Sequence, residues 1–215
     1  MVGCLLKNRE YKMNQKVHWE EVYQNKSAEE VSWYQEVPTV SLSIVHDLNL
    51  MKKSQIIDVG GGASTLVDGL LQEGFENISV LDLSSNALEQ VKQRLGEWAK
   101  KVDWLVEDVT SFVPQKTYSF WHDRAVFHFL TKSEDRVKYK QVLDASVKTG
   151  GYVMIAAFSK NGPEQCSGLD IVQYDADKLK NELGVAFQLM DEVVEEHVTP
   201  NGKVQLFRYF LFRKL

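Results

Sequence analysis

Apolar residues along this chain fall into two alternating rhythms, one of period near 3.6 and one of short unbroken runs. From Lys16 to Gln24 the helical spacing holds Val17, Trp19, Val22 and Tyr23 on one side, and Thr39–Leu48 repeats it with Val40, Leu42, Ile44, Val45 and Leu48. Ser54–Val59 is a strand by its β-branched run, and it leads into three glycines. Thr65–Gln72 returns to helix until Gly74 stops it. The alternation continues with a strand from Asn77 that ends on Asp82, then a helix capped by Ser84 that runs to about Trp98 with Ala87, Leu88, Val91 and Leu95 inward. Val102–Val106 and Tyr118–Asp123 are the next two strands. A helix from Ser133 to about Val147 closes on Gly150 and Gly151, and Tyr152–Phe158 is apolar throughout, as a strand covered on both faces should be. Ser159–Gly168, with Asn161-Gly162-Pro163 inside it, has the composition of an exposed loop. A last helix spans Asp175–Leu183. Two strands, from about Phe187 to Val198 and from Val204 to Arg213, flank the turn residues Thr199-Pro200-Asn201-Gly202, so they are expected to pair as an antiparallel hairpin.

Strands alternating with helices specify an α/β fold: a doubly wound, mostly parallel seven-stranded sheet ending in an antiparallel hairpin. No repeat or compositional break divides it. The expectation is one domain over 1–215, with 1–15 a tail and 16–37 a lid segment rich in aromatics. A length of 215 residues and 44% apolar content are ordinary for one well-buried core. The formal net charge of −5, without runs of one sign, argues against a general grip on nucleic acid. No stretch is apolar for long enough to span a bilayer, and the apolar part of residues 1–10 is too short for a signal peptide. Met13 is an alternative start. Cys4 and Cys166 make neither a disulfide framework nor a metal site, and a cytoplasmic setting is expected. Oligomeric state is not legible.

The chemistry centres on Gln55–Ser64. Gly60 and Gly62 let backbone approach a ligand at a helix N-terminus. Asp58, just ahead of them, would repel a pyrophosphate but suits the α-ammonium of a methionine moiety, which points to S-adenosylmethionine (SAM) rather than NAD. Counting G-x-G-x-x-G from Gly60 places Thr65 where the third glycine would fall, in keeping with that choice. Asp82, one strand–helix–strand unit further on, can accept from both ribose hydroxyls. Asp108 ends the third strand and can accept from an adenine amino group, with Val109 packed on the ring. Trp19, Tyr23, Trp33 and Tyr34 would place aromatic faces over a sulfonium.

Asp58-Val59-Gly60-Gly61-Gly62-Ala63-Ser64, Leu81-Asp82-Leu83-Ser84 and Glu107-Asp108-Val109 together resemble the motifs of class I SAM-dependent methyltransferases, over nearly everything from Val17 to Arg213. A closer resemblance is to a group of small methyltransferases sharing His18-Trp19-Glu20-Glu21-Val22-Tyr23, Val31-Ser32-Trp33-Tyr34 and Trp121-His122-Asp123-Arg124-Ala125-Val126-Phe127-His128-Phe129-Leu130, with Ser167-Gly168-Leu169 and Tyr174-Asp175-Ala176 also alike. That group is distantly similar to protein-lysine methyltransferases, a relation that carries no substrate. Ser64 stands where many relatives have a last glycine. The resemblance implies methyl transfer from SAM to a small-molecule or protein side-chain acceptor. It implies a cofactor held by Trp19, Tyr23, Trp33, Asp58, Gly60, Gly62, Ser64, Asp82, Leu83, Asp108 and Val109, with Arg124 and Ala125 at the methionine part. Asp123 and His128 are the catalytic candidates at the reaction end, followed by His122 and Glu20. Tyr174 and His197 read rather as structural residues. Two other readings stay open: a SAM-binding protein without turnover and, more weakly, an NAD-dependent oxidoreductase.

Overall fold

The computed structural model of the chain describes residues 15–215. Residues 1–14, which include Cys4, Met13 and nearly all of the expected tail, lie outside the described residues. A helix over residues 15–25, α1, comes first. It is followed by α2 (Thr39–Asp47), β1 (Gln55–Val59), α3 (Leu66–Gln72), β2 (Asn77–Asp82), α4 (Ser85–Leu95), β3 (Val102–Val106) and β4 (Tyr118–Arg124). Then come α5 (Ser133–Ser146), β5 (Val147–Phe158), a short hairpin of β6 (Gln165–Cys166) and β7 (Leu169–Asp170), α6 (Ala176–Leu183), β8 (Phe187–Val198) and β9 (Val204–Lys214).

Seven strands form one sheet in the order β3-β2-β1-β4-β5-β9-β8, parallel except for β9, which runs against both neighbours. Successive residues of the inner strands face opposite layers. Ile56, Phe120 and Met154 pack under α2, α3 and α4, while Ile57, Trp121 and Ile155 pack under α5 and α6. Because both faces are covered, the inner strands are apolar almost without interruption. The strand order reverses between β1 and β4, so a crevice opens beyond their carboxyl ends. Among the described residues no helix is long and apolar enough to cross a membrane.

Three elements differ from their sequence-based expectation. Strand β5 starts at Val147 rather than Tyr152, because Gly150, at φ 76°, bends the chain without ending the pairing, and the register shifts there. The helix from Ser84 stops at Leu95, where Gly96 takes φ 57°, and residues 96–101 tighten into a 3-10 turn. The expected exposed loop at Ser159–Gly168 contains β6, and Cys166 is buried there at 3% exposure.

Candidate functional site

The glycine turn after β1 is tied to the end of β2. The Gly60 N–H donates to the Leu81 carbonyl at 2.7 Å. Gly60 has φ 67°, and a Cβ there would run into Val126, so only glycine fits. The Gly62 N–H donates to Asp82 Oδ2 at 2.9 Å, while Asp82 Oδ1 accepts from the Ser84 N–H at 2.8 Å. A Cβ on Gly62 would lie 2.5 Å from Asp82 Oδ2. Burial pushes the Asp82 carboxyl up to about 6, against the two backbone donors that favour its ionised form.

A cavity occupies the crevice. Its floor is Val59, Gly60 and Leu81. Asp82, Leu83, Glu107, Asp108 and Val109 line one side; Arg124, Ala125, Val126, Phe129 and Leu130 line the other. Trp19, Tyr23, Trp33 and Cys166 complete the wall. Asp108 Oδ1 accepts from the Thr110 N–H and hydroxyl at 2.8 and 2.7 Å, which fixes its orientation. Ala125 holds φ 70°, a left-handed conformation rare for a residue with a Cβ and costing about 1–3 kcal/mol. Such strain concentrates at functional turns, and here it swings the chain from β4 into the cavity wall.

A smaller chamber adjoins the cavity, and Trp33, Gly60 and Arg124 are common to both. Asp58, His122, Ser41 and Ser64 line its inner end. His122 Nδ1 lies 2.6 Å from Asp58 Oδ1, and its Nε2 lies 2.8 Å from Ser41 Oγ. Asp58 is 1% exposed, and its Oδ2 is buried with no hydrogen-bond partner. Opposite in sign, Arg124 donates from Nε to the Tyr209 hydroxyl at 2.8 Å and from Nη1 to the Trp33 carbonyl at 2.9 Å. Its Nη2 has no hydrogen-bond partner and is ion-paired with Glu195 at 3.6 Å.

Helix α1 closes the cavity from above. The Trp19 ring meets Phe129 at 5.1 Å and Trp33 at 5.6 Å, edge to face, and Tyr23 meets Trp33 at 6.3 Å. Glu20 holds this helix to α4: its carboxylate accepts from the Ser85 and Asn86 N–H groups and from the Ser84 and Ser85 hydroxyls, at 2.7–3.0 Å. Burial alone would raise the Glu20 carboxyl, but these donors outweigh it and hold it at about 2. The residues after α1 are fastened too, since His197 Nε2 meets the Ser32 carbonyl at 2.7 Å and Gln35 donates to Glu195 at the same distance.

The structure therefore gathers Trp19, Tyr23, Trp33, Gly60, Asp82, Leu83, Asp108, Val109, Arg124 and Ala125 around the main cavity, and Asp58 and Ser64 around the adjoining chamber. Gly62 lines neither and serves the Asp82 carboxylate. The two catalytic candidates are displaced from the cavity. Alternation along β4 sends His122 and Arg124 to one face and Asp123 to the other, where Asp123 accepts from the Tyr139 hydroxyl at 2.6 Å and from the Val126 and Phe127 N–H groups. Burial pushes its carboxyl to about 6. His128 lies between the Phe129 and Phe158 rings, at 4.4 and 5.1 Å, fully buried. Burial and the nearby Arg124 charge push it down to about 3, so the ring is held neutral inside the core. Glu20, the further candidate, has its carboxylate engaged by the first turn of α4. Tyr174 is buried against Phe127 at 5.3 Å. Sequence reasoning missed Cys166, Leu130 and Phe129 in the wall and Ser41 in the chamber. Phe129 and Leu130 sit just past β4, a position that could have marked them; Cys166 and Ser41 carry no local signal.

The Methyltransferase domain family model matches residues 56–151. A malonyl-(acyl-carrier protein) O-methyltransferase 2 of Ilyobacter polytropus is 26% identical over 49% of this chain and 40% of its own. An eEF1A lysine and N-terminal methyltransferase of Mus musculus is 25% identical over 58% of this chain and 18% of its own. The chain thus spans well under half the length of these two curated relatives. Among solved structures, a Burkholderia thailandensis 1,6-didemethyltoxoflavin-N1-methyltransferase with bound S-adenosylhomocysteine superposes with TM-score 0.66 at 16% identity, over 96% of this chain and 86% of that one. That similarity is one of fold.

Proposed function

We propose that the chain is a class I SAM-dependent methyltransferase domain and that it moves a methyl group from SAM to a small-molecule or protein side-chain acceptor. One observation carries the reading. The chamber beside Gly60 is lined by Asp58, whose buried Oδ2 has no hydrogen-bond partner, and by Arg124, whose buried Nη2 has none either and lies 3.6 Å from Glu195. A zwitterionic amino-acid end, with one ammonium and one carboxylate, is complementary to that pair; a nicotinamide ring and its pyrophosphate are not. A buried polar atom without a hydrogen bond is costly unless a ligand supplies the missing partner.

The other wall residues fit the rest of the same molecule. Asp82, oriented by the Gly62 and Ser84 N–H groups, accepts from ribose hydroxyls. Asp108 and Val109 meet the adenine, and Leu83 flanks it. Ser64 and Ala125 border the amino-acid end. When bound, SAM supplies a methyl group already activated by its sulfonium. The aromatic faces of Trp19, Tyr23 and Trp33 favour that positive centre and exclude water from it. With Asp123 and His128 directed into the core, this chain's contribution is alignment and desolvation more than proton removal. The curated relatives include an O-methyltransferase and a lysine and N-terminal methyltransferase, so they do not choose the acceptor. The net negative charge supports an acceptor other than bulk nucleic acid, and we place the reaction in the cytoplasm.

Calorimetric titration with SAM, S-adenosylhomocysteine and NAD tests the cofactor. Binding of the first two and not of NAD is expected; preference for NAD overturns the reading. Transfer of label from methyl-labelled SAM to a component of a cell extract is expected next. Tight binding with no transfer to any fraction would instead make the protein a SAM-binding module.

A further inference from the structure

We infer that His122 and Ser41 are positioning residues for the amino-acid end of SAM, acting through Asp58. The inference rests on the cofactor reading above and extends it to two side chains outside direct contact.

Asp58 has two carboxylate oxygens in different circumstances. Oδ1 is held by His122 Nδ1 at 2.6 Å, whereas Oδ2 is buried without a partner. In a neutral ring whose Nδ1 donates to Oδ1, Nε2 accepts from the Ser41 hydroxyl at 2.8 Å. The chain Ser41–His122–Asp58 then runs in one direction, in the Nδ1–H tautomer. It holds the carboxylate at Oδ1 and leaves Oδ2, on a residue that lines the chamber, as the free acceptor. All three side chains are buried, Ser41 and Asp58 at 1% exposure and His122 at 2%, so no competing solvent donor reorients them.

The same sequence of atoms activates a serine nucleophile in hydrolases. Here Ser41 lies buried in the first turn of α2 rather than on an exposed turn, so it serves as a donor to the imidazole. The closeness of the glycine turn supports the arrangement: a Cβ on Gly61 would fall 2.5 Å from Asp58 Oδ2, and the three-glycine run keeps that oxygen free.

The test compares three ligands on the full chain by calorimetry: SAM, S-adenosylhomocysteine and 5′-methylthioadenosine, which keeps the adenosine and lacks the amino-acid end. H122F removes the donor to Asp58. It should weaken SAM and S-adenosylhomocysteine by at least about tenfold and leave methylthioadenosine within about twofold. H122N, which restores a donor near the position of Nδ1, should recover most of the loss. In wild-type protein the His122 ring nitrogens should report the Nδ1–H tautomer by nitrogen-15 NMR and shift with SAM but not with methylthioadenosine. Equal weakening of all three ligands makes His122 merely structural and overturns the proposal, as does unchanged SAM affinity. If H122F does not fold, S41A decides. A loss of about threefold for SAM and S-adenosylhomocysteine but not for methylthioadenosine supports the inference, and no difference between the ligands sinks it. Wild-type protein that binds methylthioadenosine but not SAM would contradict the positioning of Asp58, whereas binding of neither would remove the cofactor reading underneath.

Discussion

Asp82 shows how one side chain can be both legible and incompletely read. Its place at the end of β2 is plain from the sequence, and the cavity contains it. Its two backbone donors and its raised carboxyl are not, because both depend on Gly62 and Ser84 being folded around it. Asp82→Ala should weaken SAM by about 1–3 kcal/mol, measured by calorimetry. The raised carboxyl also fixes a sign. Protonation of Asp82 stabilises the unliganded fold below the ordinary carboxylate range, and that contribution is lost as pH rises through about 6. Ribose hydroxyls need the ionised form, so SAM affinity should increase between about pH 5 and about pH 7 and flatten in Asp82→Asn. Asp123 and His128 teach the opposite lesson. Both stand in a conspicuous motif beside the ligand end of β4, yet strand alternation and the aromatic packing of Phe129 and Phe158 turn them inward. Linear proximity to a site says little about direction.

At the scale of elements, α1 is the clearest gain from structure. Helical spacing announces the helix, and its aromatics suggest a lid, but only the folded chain shows that Glu20 caps α4 and so fixes where the lid rests. Glu20→Gln should lower stability by about 0.5–2 kcal/mol, read in denaturant unfolding, and should weaken SAM by loosening Trp19. Because the Glu20 carboxyl is depressed to about 2, its stabilising contribution is in place above the ordinary carboxylate range and disappears only as pH falls through that low value. Element boundaries were read less well wherever glycine kept a strand going, as at Gly150, or where two short strands hid in a loop of turn-forming residues around Cys166. Composition reports flexibility of the backbone, not what that flexibility is used for.

Across the whole molecule, the two faces of the sheet divide the labour. The face under α2 and α3 holds the Asp58–His122–Ser41 chain, and the face under α5 holds Trp121, Tyr139 and Asp123, linked by hydrogen bonds of 2.9 and 2.6 Å. Tyr139→Phe should therefore cost about 1–3 kcal/mol of stability through the orphaned Asp123 while leaving the SAM dissociation constant unchanged, a separation that parallel unfolding and binding measurements would reveal. The α/β class and the seven strands were legible because burial on both faces writes itself as apolar runs. Strand order was legible only in the terminal hairpin, where the turn residues 199–202 announce the pairing of β8 with β9, since periodicity carries no information about neighbours.

That order has a consequence during synthesis. Strand β9 follows β8 in the chain but separates it from β5. While the polypeptide emerges from the ribosome, β5 presents a long bare margin and β8 has nowhere to dock. Both wait for residues 204–214, which join two margins in one step. A nascent chain stalled before that point would expose an apolar strand edge of the kind that seeds misassociation, so the residues made last in the sheet govern whether the rest of it can be completed.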